Sequence, residues 1–300
     1  MTDESDTAGP TGPSDGDDVG AIDHVDAVDD IDHIDNIDDE GGADGGDGQG
    51  LPPIGFLGAV QFLTRLPIRL RSAPSIAAAV PWFPIVGAII GAAVGGVIAG
   101  VGELVPSTVA AVIGVIFGVA ITGAFHEDGL ADTADAFGGW TPERRRQILK
   151  DSRHGSYGVA AMTGTILLRV VCLASLGPAA AFAGSVAAHA LGRAAAVTVM
   201  TTAPPVSAEG LGADYVRSLR TGPALLGVGV GVVIGAIATG WWIVALVGVV
   251  GVVTATLVPM ILRGFEGIAG DHLGAVEQVA ECAVLVVVSG LAARHSLWWR

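Results

Sequence analysis

The sequence predicts an all-α, polytopic helical integral membrane protein with six to seven transmembrane helices and a disordered acidic N-terminal tail. Two observations support this fold class. Residues 51–300 contain several apolar runs of about 20 residues with almost no charge, which is the length that crosses a bilayer as a helix. The first 50 residues instead contain 17 acidic residues and no lysine or arginine.

The acidic tail has a net charge of −17, whereas residues 51–300 have a net charge of +2. The tail contains no aromatic residue and too little apolar surface to offset its chain entropy, so we predict that it is disordered. The sequence therefore divides into a disordered tail over 1–50 and a helical membrane domain over 51–300.

The first element of the membrane domain, 51–71, is amphipathic and ends in several arginines, so we expect it at the membrane surface. Seven apolar runs follow, each long enough to cross a bilayer. Gly240-Trp241-Trp242 favours a turn with an interfacial aromatic anchor between the fifth and sixth runs, although one long tilted element would also fit. The predicted spans are about 81–102, 106–125, 158–177, 180–200, 222–240, 241–262 and 276–293.

The basic residues predict the orientation of these spans. With seven spans, eleven arginine and lysine residues fall on one side of the membrane and only Arg294 and Arg300 on the other. This bias places the first side, and the N-terminus, in the cytoplasm. An acidic motif that follows the second span and the loops 140–157, 201–221 and 263–275 all fall on that side, which predicts a single site there.

The acidic motif has four carboxylates within nine residues. Asp128, Asp132 and Asp135 are spaced at i, i+4 and i+7 and share one helix face, while Glu127 points about 100° away. Like charges at about 4 Å repel by about 4 kcal/mol at an effective dielectric near 20. A divalent cation would turn this repulsion into binding, and carboxylate oxygens suit Mg²⁺, Ca²⁺ or Mn²⁺.

A second segment, Asp151-Ser152-Arg153-His154-Gly155, precedes the third span. It combines a planar cation, a hydroxyl group and a flexible glycine, which suits a phosphate oxyanion. Ordinary loop chemistry explains the same residues equally well. Arg153 and Ser152 are therefore candidate phosphate contacts.

A third group of acidic residues lies at the start of the last span. Asp271 and Glu277 are candidate functional residues because carboxylates in a membrane are costly and usually indicate a functional role. The alternative is pairing with Arg169 or Arg193 inside the bundle. For the deeper Glu281, such pairing is as good an explanation as function.

Together these motifs resemble the cobalamin synthase family, also called adenosylcobinamide-GDP ribazoletransferase. They occur in family order through nearly all of residues 51–300. The motifs are Thr64-Arg65-Leu66-Pro67, Phe83-Pro84-Ile85-Val86-Gly87, His126-Glu127-Asp128-Gly129-Leu130-Ala131-Asp132-Thr133-Ala134-Asp135, Asp151-Ser152-Arg153-His154-Gly155, Gly192-Arg193, Glu209-Gly210-Leu211-Gly212 and Gly270-Asp271-His272-Leu273-Gly274-Ala275-Val276-Glu277.

The resemblance implies a Mg²⁺-dependent enzyme that joins adenosylcobinamide-GDP to α-ribazole, or to its 5′-phosphate, and releases GMP. It further implies a multi-pass protein of the cell membrane whose partners are these substrates and the lipid bilayer. We expect no nucleic-acid partner. An assembly with other enzymes of the corrinoid pathway would be consistent with an enzyme that acts at the last step of that pathway.

The site residues acquire roles from this chemistry. Asp128, Asp132 and Asp135 would hold the metal, with Glu127 as a further ligand or a supporting group. Asp135 or Asp271 would accept the proton of the nucleophile. Arg153 and Ser152 would contact the substrate phosphate. Glu277 and His126 would support the site.

Two other functions share some of these features. A CDP-alcohol phosphotransferase also uses an acidic helix face, but that family has Arg after its Gly-x-x-Ala core, where this chain has Asp132. A cation transporter would place carboxylates near the centres of its spans, whereas the acidic motif lies at a span end beside basic loops.

Overall fold

The computed structural model describes residues 52–69, 75–151, 153–206 and 219–300. Within these ranges the chain is helical, apart from turns and one isolated bridge between Pro205 and Ile268. The predicted tail, Ser152 and the motif at 209–212 lie outside the described residues. The helices are α1 Pro52–Leu63, α2 Ile76–Ala79, α3 Phe83–Val101, α4 Ser107–Thr122, α5 Phe125–Ala136, α6 Pro142–Leu149, α7 Ser156–Ala174, α8 Pro178–Thr202, α9 Thr221–Thr239, α10 Ile243–Phe265 and α11 Gly270–Ala292.

The described helices confirm a multi-pass membrane protein. Five helical runs are long and apolar enough to cross a bilayer, and α4 with α5 makes a sixth if that bent pair counts as one span. One of the five, Thr221–Phe265, is 45 residues long, about twice the length that a bilayer requires. If it crosses as two separate spans, the total is seven.

The long run does fold back on itself. Gly240 adopts a positive φ of 64°, and a short 3₁₀ turn there separates α9 from α10. In a straight helix Val228 and Thr254 would lie about 39 Å apart. Both instead line one groove beside α8, so α9 and α10 form a helical hairpin. The predicted turn at Gly240 is therefore confirmed.

A sharp bend separates the second span from the acidic helix. Gly123 and Ala124 are both in the left-handed region, with φ of 68° and 60°, and α5 leaves α4 at an angle of 88°. The left-handed residue at the end of α4 satisfies its last carbonyls, since Gly123 N donates to the Ala120 and Val119 carbonyls. The bend turns the carboxylates away from the span axis.

Close packing of α3 on α8 forms the centre of the bundle. Gly87, Gly91 and Gly95 recur every four residues on α3 and all face α8. A Cβ at position 91 would collide with the backbone carbonyl of Ser185. Small residues at this spacing allow two helix backbones to approach closely within a membrane.

We expect Gly91→Ala to lower the free energy of unfolding by about 1–3 kcal/mol, because the new methyl group must push α3 away from α8. Thermal unfolding of the purified protein in detergent measures this. Gly96→Ala is the matched control, since Gly96 lies on the same helix and nothing is within 4 Å of the place that its methyl group would take. Equal unfolding temperatures for the two variants would contradict the packing argument.

The loop arginines join two loops at one end of the bundle. Arg145 donates to the Gly264 carbonyl at 3.3 Å, and Arg146 donates to the Phe265 carbonyl at 3.2 Å and to Glu266 at 2.8 Å. A positive charge near a helix C-terminus is stabilised by the helix dipole. Arg145 and Arg146 therefore hold α6 against the end of α10. The Pro205–Ile268 bridge brings the end of α8 to the same place. The described parts of the three loops thus meet, as predicted.

Candidate functional site

The acidic motif forms the helix α5, as predicted, and one face of it is open to solvent. Asp128 is exposed and Asp132 is partly buried. His154 lies between them, with Nε2 3.4 Å from Asp128 Oδ1 and Nδ1 3.4 Å from Asp132 Oδ1. An imidazole therefore bridges two carboxylates at the surface of the bundle.

His154 was not predicted as a site residue. The histidine is 22 residues from Asp132 in the chain, so no local spacing links the two. The available signal was its place in a motif directly before α7, at the end of the bundle where the acidic motif was expected.

Asp135 caps α7 from another helix. Its Oδ2 accepts a hydrogen bond from Gly155 N at 2.6 Å and its Oδ1 accepts one from Gly158 N at 2.9 Å. Carboxylates near a helix N-terminus satisfy free backbone donors there. A Cβ at Gly155 or Gly158 would collide with this carboxylate, which explains both glycines. The structure brings Asp135 onto the backbone of α7, one turn beyond Asp132.

We expect Asp135→Ala to lower the free energy of unfolding by about 1–2 kcal/mol, because two backbone donors of α7 lose their acceptor. Asp135→Asn retains one acceptor oxygen and should lose less. Unfolding in detergent, followed by circular dichroism, measures both variants. An alanine variant as stable as the unmodified protein would rule out the capping role.

Asp271 approaches the acidic face from α11. Its backbone packs on Gly129 of α5, where a Cβ would lie 2.8 Å from the Asp271 carbonyl oxygen. Gly129 directly follows Asp128 in α5. Asp271 thus lies against the helix that carries two of the predicted metal ligands, although it is more than 130 residues further along the chain.

Arg153 is exposed and is held by its neighbour Asp151. The guanidinium donates from Nε at 3.0 Å and from Nη2 at 2.7 Å to the two carboxylate oxygens. These hydrogen bonds from Arg153 lower the pKa of Asp151 to about 2. The pair stays charged at neutral pH, and Arg153 stands at the surface of the loop that carries His154.

Glu127 points into the bundle, away from the three aspartates. It is 2% exposed and forms an ion pair of 2.8 Å with Arg169 of α7. The geometry brings Glu127 to this buried cation rather than to the other acidic residues of α5. Its predicted contact with metal stays a prediction that the geometry does not favour.

Glu277 and Glu281 also face arginines within the bundle. Arg193 contacts both glutamates, at 2.5 Å for Glu281, and Arg169 lies 3.6 Å from Glu281. Buried charges require such partners. The structure therefore shows these glutamates paired with arginines. This pairing was the alternative to a functional role for them. Together with Glu127 these residues form a buried ionic network that joins α5, α7, α8 and α11.

Two histidines border the network. His189 contacts Glu281, and His126 Nδ1 lies 3.7 Å from Glu277 Oε2. Gln278 Nε2 donates to the same Glu277 oxygen at 3.0 Å. His126 and Glu277 are thus neighbours, but both are buried in the bundle and not on the acidic face of α5, and their supporting role stays a prediction.

The acidic face fits a hard divalent cation better than the buried network does. Asp128, Asp132 and His154 each offer a ligand atom, and these atoms lie within 4.8 Å of one another. His189, Glu277 and Glu281 meet the same criterion, but Arg193 already contacts both glutamates. Carboxylate oxygens on an accessible surface are the donors that Mg²⁺ prefers.

Comparison with known proteins identifies the family and the relatives of this chain. The profile of the family described as cobalamin-5-phosphate synthase matches residues 55–289. An adenosylcobinamide-GDP ribazoletransferase of Ralstonia pickettii is 37% identical over 236 residues, which cover 76% of this chain and 91% of that protein. The corresponding proteins of Shewanella frigidimarina and Stutzerimonas stutzeri are 34% and 36% identical and are each covered over 94% of their length. No solved structure matches the chain significantly. The chain belongs to the cobalamin-5-phosphate synthase family.

Proposed function

We propose that this protein is an adenosylcobinamide-GDP ribazoletransferase that catalyses a late step of cobalamin biosynthesis. It joins the corrinoid phosphate of adenosylcobinamide-GDP to a ribose hydroxyl of α-ribazole, or of α-ribazole 5′-phosphate, and releases GMP. The observation that carries this function is the similarity to enzymes of that name over almost their entire length.

The reaction exchanges a phosphoanhydride bond for a phosphate ester bond. The ribazole oxygen bonds to the phosphorus next to the cobinamide, and the bond from that phosphorus to the bridging oxygen of the diphosphate breaks. Catalysis of such a transfer consists mostly of positioning and of neutralising charge. A site on the exposed face of α5, beside basic loops, suits an anionic diphosphate.

Within the proposal, Asp128 and Asp132 would hold Mg²⁺. Asp271 lies on the helix that packs against the one carrying these two residues. When bound, the metal neutralises the charge of the diphosphate and of the departing phosphate. His154 keeps the two carboxylates together. Asp135 is occupied by the backbone of α7, which leaves Asp271 as the better acceptor for the hydroxyl proton.

Arg153 is the proposed phosphate contact, on the loop that carries His154. Its guanidinium is exposed and permanently charged, and Asp151 fixes its plane. Ser152 is its proposed partner on sequence grounds alone. The location proposed for the site is the cytoplasmic face of the cell membrane, supported by the distribution of basic residues. Association with other corrinoid enzymes stays a prediction.

The alternatives are not favoured. Family membership argues against a CDP-alcohol phosphotransferase. A cation pathway would need free carboxylates within the bundle, but Glu127, Glu277 and Glu281 all face arginines. The test is product analysis by mass spectrometry, with purified protein in detergent, adenosylcobinamide-GDP, α-ribazole and Mg²⁺. A corrinoid that has gained the mass of α-ribazole and lost that of GMP supports the proposal, and unchanged substrate would refute it.

A further inference from the structure

A cavity of about 360 Å³ opens behind the acidic helix, between α1, α3, α5, α8 and α11. Three aromatic rings form part of its wall. Phe62 stacks on Phe83 with ring centres 5.4 Å apart, and Phe125 meets Phe62 edge-on at 5.3 Å. The volume lies within the usual range for a small-molecule site, and the aromatic wall suits a flat apolar ring system.

Two buried polar side chains interrupt this apolar wall. Among the described residues that line the cavity, His126 and Arg193 are the only ionisable ones. They are 6% and 2% exposed, and both also face the buried ionic network, where His126 Nδ1 lies 3.7 Å from Glu277 Oε2 and Arg193 contacts Glu277 and Glu281. A flat ligand with one polar ring atom would place that atom beside these two side chains.

Two segments of the cavity wall also carry carboxylates of the proposed site. Phe125 and His126 belong to the first turn of α5, and Asp128 follows about 4.5 Å along the helix axis from Phe125. On the opposite wall, Gly270 directly precedes Asp271. A nucleoside with its base in the cavity and its sugar at this end of the wall would therefore approach both segments.

We propose that this cavity binds the dimethylbenzimidazole base of α-ribazole and thereby selects the acceptor. The inference rests on the proposed function and specifies where its neutral substrate sits. The base is flat, apolar and bicyclic, and its free ring nitrogen accepts a hydrogen bond. The aromatic wall contacts the ring faces and methyl groups, while the free nitrogen lies towards His126 and Arg193, the polar side chains of the wall.

Ala196→Leu tests the pocket. Ala196 lies on α8, lines the cavity and is 7% exposed, so a leucine there occupies part of the proposed base site. We expect the KM for α-ribazole to rise about tenfold or more, because a pocket that is one or two methylene groups too small excludes its ligand to this extent. The KM for adenosylcobinamide-GDP should stay within about twofold, since the corrinoid does not enter the cavity.

The comparison of two acceptors separates a pocket from a general defect. The riboside of unsubstituted benzimidazole lacks the two methyl groups, so Ala196→Leu should raise its KM less than that of α-ribazole. A purely structural effect would change both acceptors equally. Ala255→Leu is the matched control, because it adds the same atoms in an apolar groove formed by α8, α9 and α10 and should change neither value.

Met200→Phe, one turn along α8 on the same cavity wall, is the second variant if Ala196→Leu fails to fold. A selective rise in the KM for α-ribazole in either variant supports the pocket. An unchanged ratio between the two acceptors, with normal activity, would show that the cavity holds something else, such as a lipid chain, and would overturn the inference. An inactive unmodified protein would refute the proposed function instead.

Discussion

Asp132→Asn should lower kcat by roughly a hundred- to a thousandfold while the protein still inserts into the membrane. The substitution keeps the shape of the side chain but removes one of the two charges that His154 brings together. Loss of one preorganised electrostatic contact to a transition state typically costs this much. The measurement is the rate of GMP release by the purified variant at saturating Mg²⁺ and substrates.

The control for this variant is Glu103→Gln, an equivalent change at an exposed carboxylate between α3 and α4, outside the site. It should leave kcat unchanged. If Asp132→Asn retains near-normal turnover, the acidic face of α5 does not hold the metal. A thermal unfolding curve like that of the unmodified protein would show that any loss is chemical.

Arg193→Met should lower the free energy of unfolding by about 3–5 kcal/mol. The change removes the cation that contacts both Glu277 and Glu281 and leaves two carboxylates buried without it. Removing one partner of a buried ion pair has this cost because the remaining charge is uncompensated. Unfolding in detergent, followed by temperature or denaturant, measures the loss.

Two comparisons make the result specific. Arg263→Met removes an arginine from α10 that lies outside the buried network, and it should change stability by less than about 0.5 kcal/mol. Adding Glu281→Gln to Arg193→Met should recover part of the loss, since one uncompensated charge is then gone. If the double variant is less stable than Arg193→Met, repulsion between the buried glutamates is not the cause.

Hydropathy and local spacing predicted most of the fold. Each predicted span overlaps a described helix, because a run of about 20 apolar residues must satisfy its backbone hydrogen bonds internally within a bilayer. The right-angled bend before α5 was not predicted. It depends on two consecutive left-handed residues, and Ala124 gives no sequence signal for that conformation.

The site was predicted less completely because its contacts are distant in sequence. The i, i+4 spacing correctly placed Asp128 and Asp132 on one helix face. The partners of Glu127 and Asp135 are Arg169 and the backbone of Gly155, 42 and 20 residues away, and no helical periodicity connects them. Only the packing of α5 against α7 shows that these two carboxylates have other partners.

GMP release by the purified protein tests the central claim most directly. We predict one GMP for each corrinoid joined, and a rate that falls to background when adenosylcobinamide-GDP, α-ribazole or divalent metal is omitted in turn. GMP release that does not require α-ribazole would indicate hydrolysis instead of transfer. An absence of GMP with all three components present would contradict the proposed function.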